Sequence, residues 1–289
     1  MCSGEKTYIF PTRKIKRLFL ASQEFKSFYN EEQKNSLENL LKDLSIKKAS
    51  LFHNNWGDQE SQRKEPLPRL GPLNLLLRKK GMCEDEASLG VFALRAMGVA
   101  STVDFTPYWG TTQGRHFWHV ALKPQANTSG TAHKQPSNFI TAIPIIREPS
   151  KVIRTTYAKQ NNTLAASVNK NNIPPGFLQT QNYKDVTTDY WETSTINCKL
   201  KPNITTGVIV YVCVLQALSW KPAWWGKATN AKVTFNNMAK GVVYIPAVYQ
   251  NKKIIPVGNP VALGYHNQLE LTADVTKPRN IIIKQQDNY

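Results

Sequence analysis

Acidic side chains are scarce in this chain of 289 residues: 20 Asp and Glu stand against 37 Lys and Arg. Between Val120 and Gln160 the only acid is Glu148. Cysteine (four) and histidine (five) are thinly spread, and no stretch approaches the roughly 18 apolar residues that a membrane span needs. Each shortage excludes something. The cysteines, at 2, 83, 198 and 213, form no C-x-x-C or other metal spacing, and the histidines show no zincin motif, so neither a metal nor a cofactor is implied. No disulfide framework can be read from them either. Cys198 and Cys213, on the strand-like TINCKL and VIVYVCVL, could pair only as neighbours in one sheet and in an oxidising compartment. Met1 to Tyr8 is polar and Ile9 to Leu20 is broken by four basic residues, so no signal peptide is expected.

The formal charge of +17 is the counterpart of the missing acids. It is spread along the chain, with 16 basic and 9 acidic residues over 1–82, 9 and 5 over 83–182, and 12 and 6 over 183–289. No zinc-finger, RRM or phosphate-loop pattern accompanies it. Such a distribution supports loose affinity for anionic surfaces and argues against specific nucleic-acid recognition.

What is present is concentrated in residues 81–122. Cys83 follows a basic run and a glycine, and the acids Glu84, Asp85 and Glu86 then precede an apolar run to Met97, as at the start of a helix. Positions 83, 87, 91 and 94 repeat at helical spacing, with enough apolar residues between them to predict burial on most sides. A thiol at that end meets free backbone N–H groups and the positive end of the helix dipole, both of which favour thiolate. The same N–H groups, at Cys83 and Glu84, could hold an oxyanion. The three acids oppose thiolate, so a nucleophilic Cys83 needs an imidazolium partner.

VASTVDF (99–105) and HFWHVAL (116–122) read as strands joined by the loop Thr106 to Arg115. In the second, His116, Trp118 and Val120 share one face while Phe117, His119 and Ala121 share the other, so only one histidine can face the thiol. A hairpin packed on the Cys83 helix is expected to bring His116 to the sulfur. Tyr108 and Trp109, in the loop, are candidates to wall a substrate groove.

Together, G-x-C-E-D, a buried helix ending L-R-A-x-G-V, a strand and H-x-W-x-V resemble the transglutaminase-like cysteine fold, particularly its bacterial branch. The resemblance is specific from about Leu67 to Leu122. It implies an α+β, papain-like core in which a helix-borne cysteine packs on an antiparallel sheet, followed by a β-sandwich-like accessory domain. It implies Cys83 as nucleophile, His116 as base, Trp118 as the motif's tryptophan and a protein or peptide substrate, with a glycan as the other option. The chemistry implied is cysteine acyl transfer, hydrolytic by preference. The alternative is an inactive scaffold that binds a peptide or glycan. Export to the periplasm or cell surface is implied by the family, not by a leader in the chain. His119 falls where the family has asparagine. The family's third catalytic member, an acid on the next strand, has no counterpart here. Asn138, whose amide oxygen can accept an imidazole N–H, is the candidate substitute. Trp56 is upstream, where such folds can place an oxyanion donor, but a covering loop residue is its plainer reading.

The expected organisation is a core with N-terminal helices over 1–157, a polar linker over 158–176 closed by Pro-Pro-Gly, and a β-rich domain over 177–289. Asn30 to Leu44 and Leu73 to Lys80 read as helices leading to the core. Ile204 to Ala217, Ala231 to Phe235, Gly241 to Val248, Gln268 to Ala273 and Asn280 to Lys284 read as strands at sandwich-like spacing. The cluster Trp220, Trp224 and Trp225 is expected to plug an interface rather than stack on a sugar.

Overall fold

The computed structural model describes residues 53–54, 71–78, 80–96, 99–122, 139–140, 145 and 147–272. Asn138, Trp56, the helix expected over Asn30 to Leu44 and the strand expected over Asn280 to Lys284 lie outside the described residues. The architecture is mixed α+β, with helices and several antiparallel sheets. Among the described residues no helix is long and apolar enough to cross a membrane.

Helix α1 (Pro72–Arg78) and a short parallel pair, β1 (His53–Asn54) with β2 (Lys80–Gly81), lead into helix α2 (Cys83–Ala96). At its start the Met82 N–H donates to Asp85 Oδ2 at 3.2 Å, so an acid three residues into the helix returns to cap the residue before it. Cys83, Ala87, Val91 and Leu94, the residues of the expected stripe, are all buried. At the far end Arg95 donates to the Ser101 carbonyl at 2.7 and 3.2 Å and lies over the Tyr157 ring.

Strands β3 (Ser101–Thr106) and β4 (His116–Leu122) form the expected hairpin. They are the centre of a five-stranded antiparallel sheet in the order β5-β4-β3-β6-β7, where β5 is Phe139–Ile140, β6 is Ile153–Thr155 and β7 is Tyr183–Asp185. Helix α2 packs on one face of this sheet: a Cβ built on Gly90 would stand 2.5 Å from His119 Nδ1, so only a glycine permits the approach. The opposite face, bearing Trp118 and Val120, packs with Val152 and Val186.

The remaining strands are β8 (Thr193–Lys199), β9 (Ile209–Gln216), β10 (Ser219–Lys227), β11 (Lys232–Ala239), β12 (Val242–Gln250), β13 (Lys253–Pro256), β14 (Val261–Leu263) and β15 (Gln268–Glu270). One sheet runs β10-β9-β12-β14-β15 with β13 also on β12, and a second pairs β11 with β8. Val210, Val212 and Val214 of β9 pack with Ile196, Val233, Phe235 and Tyr244 in a shared core. The alternate residues Tyr211 and Cys213 face the other way, against Phe105, Ile153, Leu164 and Ile173. A strand buried on both faces reads as a continuous apolar run, which is what IVYVCVL is.

Three expectations about this half change. Residues 158–176 are not a free linker: Leu164 and Ile173 are fully buried between the first sheet and β9. Most of the polar residues around them are exposed, although Thr163 is buried, and that composition is what reads as a linker. Tyr183–Asp185, inside the span 177–289 expected to form the β-rich domain, belongs to the first sheet as its edge strand. Cys198 and Cys213 are free thiols in different sheets and different cores, so they do not pair. Trp224 packs against both cores, in line with an interface role, although SWKPAWWGK is itself strand β10, with its register shifted between Pro222 and Trp224. The two halves are also joined by a charge. Lys151, fully buried, donates to Asp185 Oδ2 at 2.5 Å and to the carbonyls of Asn236 and Asn237 at 2.9 and 2.8 Å, with the Trp224 ring 4.8 Å away.

Candidate active site

The site is built at the start of α2. Cys83 is 2 % exposed and its thiol pKa is raised, with burial as the largest cause. The Phe117 backbone amide hydrogen-bonds the sulfur and opposes the shift; Glu84 raises the pKa by its charge, while Arg115 and the Glu84 amide lower it. The balance keeps the resting thiol neutral. The Phe117 amide belongs to the peptide that follows His116, so the sulfur rests against the backbone beside that histidine. One of the two amides expected as oxyanion donors, that of Glu84, is aimed at this sulfur.

Cys83 lines a pocket of about 360 Å³ that opens between the two halves of the molecule. Glu84, Tyr108, Arg115 and Phe117 form its near side; Gln216 and Lys221, from the β9–β10 hairpin, form the far side. Of the loop aromatics, Tyr108 lines this pocket. Trp109, 8 % exposed, turns inward and stacks with His116, ring centroids 6.0 Å apart, and Trp118 stacks with the same imidazole at 5.7 Å. Both tryptophans thus contact the histidine ring.

Behind Trp118 a buried polar chain fixes its ring. Trp118 Nε1 donates to Tyr190 Oη at 3.1 Å, Tyr190 donates to Asp104 Oδ2 at 2.6 Å, and Arg154 grips both carboxylate oxygens at 2.7 and 2.8 Å. Burial raises the pKa of fully buried Asp104, while Arg154 and Tyr190 oppose it. Burial and the Asp104 charge push the Tyr190 hydroxyl well above its ordinary range, so it remains a donor.

The face expectation for β4 resolves in an unexpected sense. The helix packs against the Phe117 and His119 face, and His119 is 2 % exposed beneath Gly90. His116 is on the Trp109 and Trp118 side, at the end of the strand where the sulfur meets the backbone.

The loop Pro107 to Arg115 is held tightly. Ser150 donates twice to the Tyr108 carbonyl, and Gly110 donates to the Glu148 carbonyl at 2.7 Å. Glu148, the lone acid of its region, accepts from the Thr111 hydroxyl at 2.8 Å. From the other half, Gln216 Nε2 donates to the carbonyls of Trp109 and Thr112 at 2.8 and 2.7 Å, and its Oε1 accepts from the Gly114 amide at 2.8 Å. Nothing in the sequence marks Gln216 except that it is the polar end of an apolar strand.

Comparison with known proteins adds no name. No protein-family model, curated protein or solved structure matches the chain. Among the described residues no group of three or more His, Cys, Asp or Glu could hold a metal ion. What the arrangement offers is a neutral thiol at a helix start beside a pocket, with the Phe117 and Glu84 amides and Arg115 opposing the effect of burial on it.

Proposed function

We propose that the protein is a transglutaminase-like cysteine acyltransferase, acting hydrolytically on a peptide or carboxamide, with Cys83 as nucleophile and His116 as general base. The observation that supports this reading is that Cys83, at the edge of a pocket, meets the backbone amide of Phe117, the residue that follows His116, and this amide opposes the effect of burial on the thiol. Because the resting thiol is neutral, its proton passes to His116 as the sulfur attacks the carbonyl carbon. The C–N bond then breaks, the leaving amine takes that proton from the imidazolium, and water releases the acyl group from sulfur. Donors at the helix start would share the oxyanion charge. Stacking with Trp109 and Trp118 would supply the orientation that an acid supplies elsewhere.

The test is the rate of Cys83 alkylation by iodoacetamide at pH 7, in the native protein and in His116→Ala. A general-base role predicts a loss of at least about a hundredfold in the variant, the lower end of what such assistance contributes. An unchanged rate would sink the dyad. A second reading, an inactive scaffold that binds a peptide or glycan, draws on the burial that raises the thiol pKa. It gains if alkylation is slow at pH 7 and indifferent to His116.

A further inference from the structure

The charges around the pocket narrow what it can hold. We propose that Lys221 makes the site selective for acidic peptides, by binding a carboxylate next to the bond presented to Cys83, and that the β9–β10 hairpin is the specificity wall. This rests on the reading of Cys83 as the reacting group. The pocket is lined largely by carbon, including Met82, Pro107, Phe117 and Ala217. Its charged side chains are Glu84, Arg115 and Lys221. Glu84 and Arg115 lie 3.7 Å apart and largely cancel. Lys221 has no ion pair or hydrogen bond among the described residues. Lys221 is half-buried at the pocket wall, and an ammonium beside apolar walls attracts an anion more strongly than one on an open surface, because less water screens it. A neutral group there gains little and a cation is repelled.

The wall that carries Lys221 is fixed. Lys221 pairs with Val214 in the β9–β10 ladder, and Gln216 in the same hairpin makes its three hydrogen bonds to the loop that bears Tyr108. The backbone that carries Lys221 is therefore held in a set position relative to the near side of the pocket. Selectivity for an acidic partner also suits a chain whose +17 charge draws anions toward it.

Iodoacetate and iodoacetamide carry the same leaving group and differ by a carboxylate, so the ratio of their rates at Cys83 reads the charge preference and cancels changes in the thiol itself. In the full-length protein we expect this ratio to exceed that of a free thiol by about five- to tenfold, the scale of one nearby, partly screened charge. Lys221→Gln should remove that excess and Lys221→Arg should retain it. A blocked peptide with one internal glutamate should protect Cys83 from iodoacetamide better than its glutamine twin. A ratio that survives Lys221→Gln, or that falls only in Arg115→Gln, overturns the assignment while leaving the acyl-transfer reading intact. Equal protection by the two peptides overturns the choice of an acidic peptide. Failure of iodoacetamide itself to reach Cys83 in the native protein would remove both readings.

Discussion

The helix–hairpin half and the β-rich half each bury a thiol under similar cover and treat it differently. Cys83 and Cys198 are 2 % and 3 % exposed. At Cys198 burial pushes the thiol up to about 12, with Glu270 adding to the shift. At Cys83 burial also raises the thiol, yet two backbone amides and Arg115 pull against it, and a pocket reaches it. Burial is therefore nearly equal at the two thiols, and what differs is the groups that oppose it.

The largest expected effect tests that contrast directly. At pH 8 Cys83 should be alkylated about a hundredfold or more faster than Cys198 or Cys213, as peptide mapping of briefly labelled protein would show, because reactivity follows thiolate fraction and access. Comparable rates at all three would erase the distinction. Next in size is the seating of the helix. Gly90→Ala should cost about 1–3 kcal/mol, since the added methyl meets the His119 ring. Denaturant melts would register it, and an unaffected midpoint would mean that helix and strand can part cheaply.

The third effect is a pH dependence, small within any one pH unit. A thiol whose folded pKa lies above its unfolded value favours the folded state below the unfolded pKa, and that advantage is lost as pH rises toward the folded one. For Cys198 the window runs from its ordinary value of 9.0 to about 12. Replacing it with Ala should therefore lessen the alkaline loss of stability by about 1 kcal/mol per pH unit above 9. A variant with an unchanged alkaline slope would show that Cys198 is not held neutral by its surroundings.

How much of this was legible in the sequence follows from the range of each signal. Helix α2 and strand β4 follow from local periodicity, and their residues fall where the spacing puts them. Alternation separates His116 from His119 but cannot say which face a helix will cover, and the helix covers the face of His119. That choice depends on Gly90, a glycine that looks helix-weakening until its neighbour is known. The segment 158–176 reads as a linker because two buried aliphatic residues are outvoted by asparagines and lysines. Strand β10 is masked by Pro222, which the register shift accommodates. Gln216 and Lys221 enter the site from about a hundred residues away, beyond the reach of any local pattern.

Lys151 gives the junction of the two halves a property that an oily seam would lack. Apolar surfaces can slide across one another at little cost, because contact with one methyl replaces contact with another. An ammonium with three aimed donors cannot: each N–H has its own acceptor, two of them backbone carbonyls at the irregularity in β11. Moving the β-rich half by even one residue would strand a buried charge. The halves are thus keyed as well as glued, and the spacing across the pocket between Cys83 and the β9–β10 hairpin is set by a lock remote from the sulfur itself.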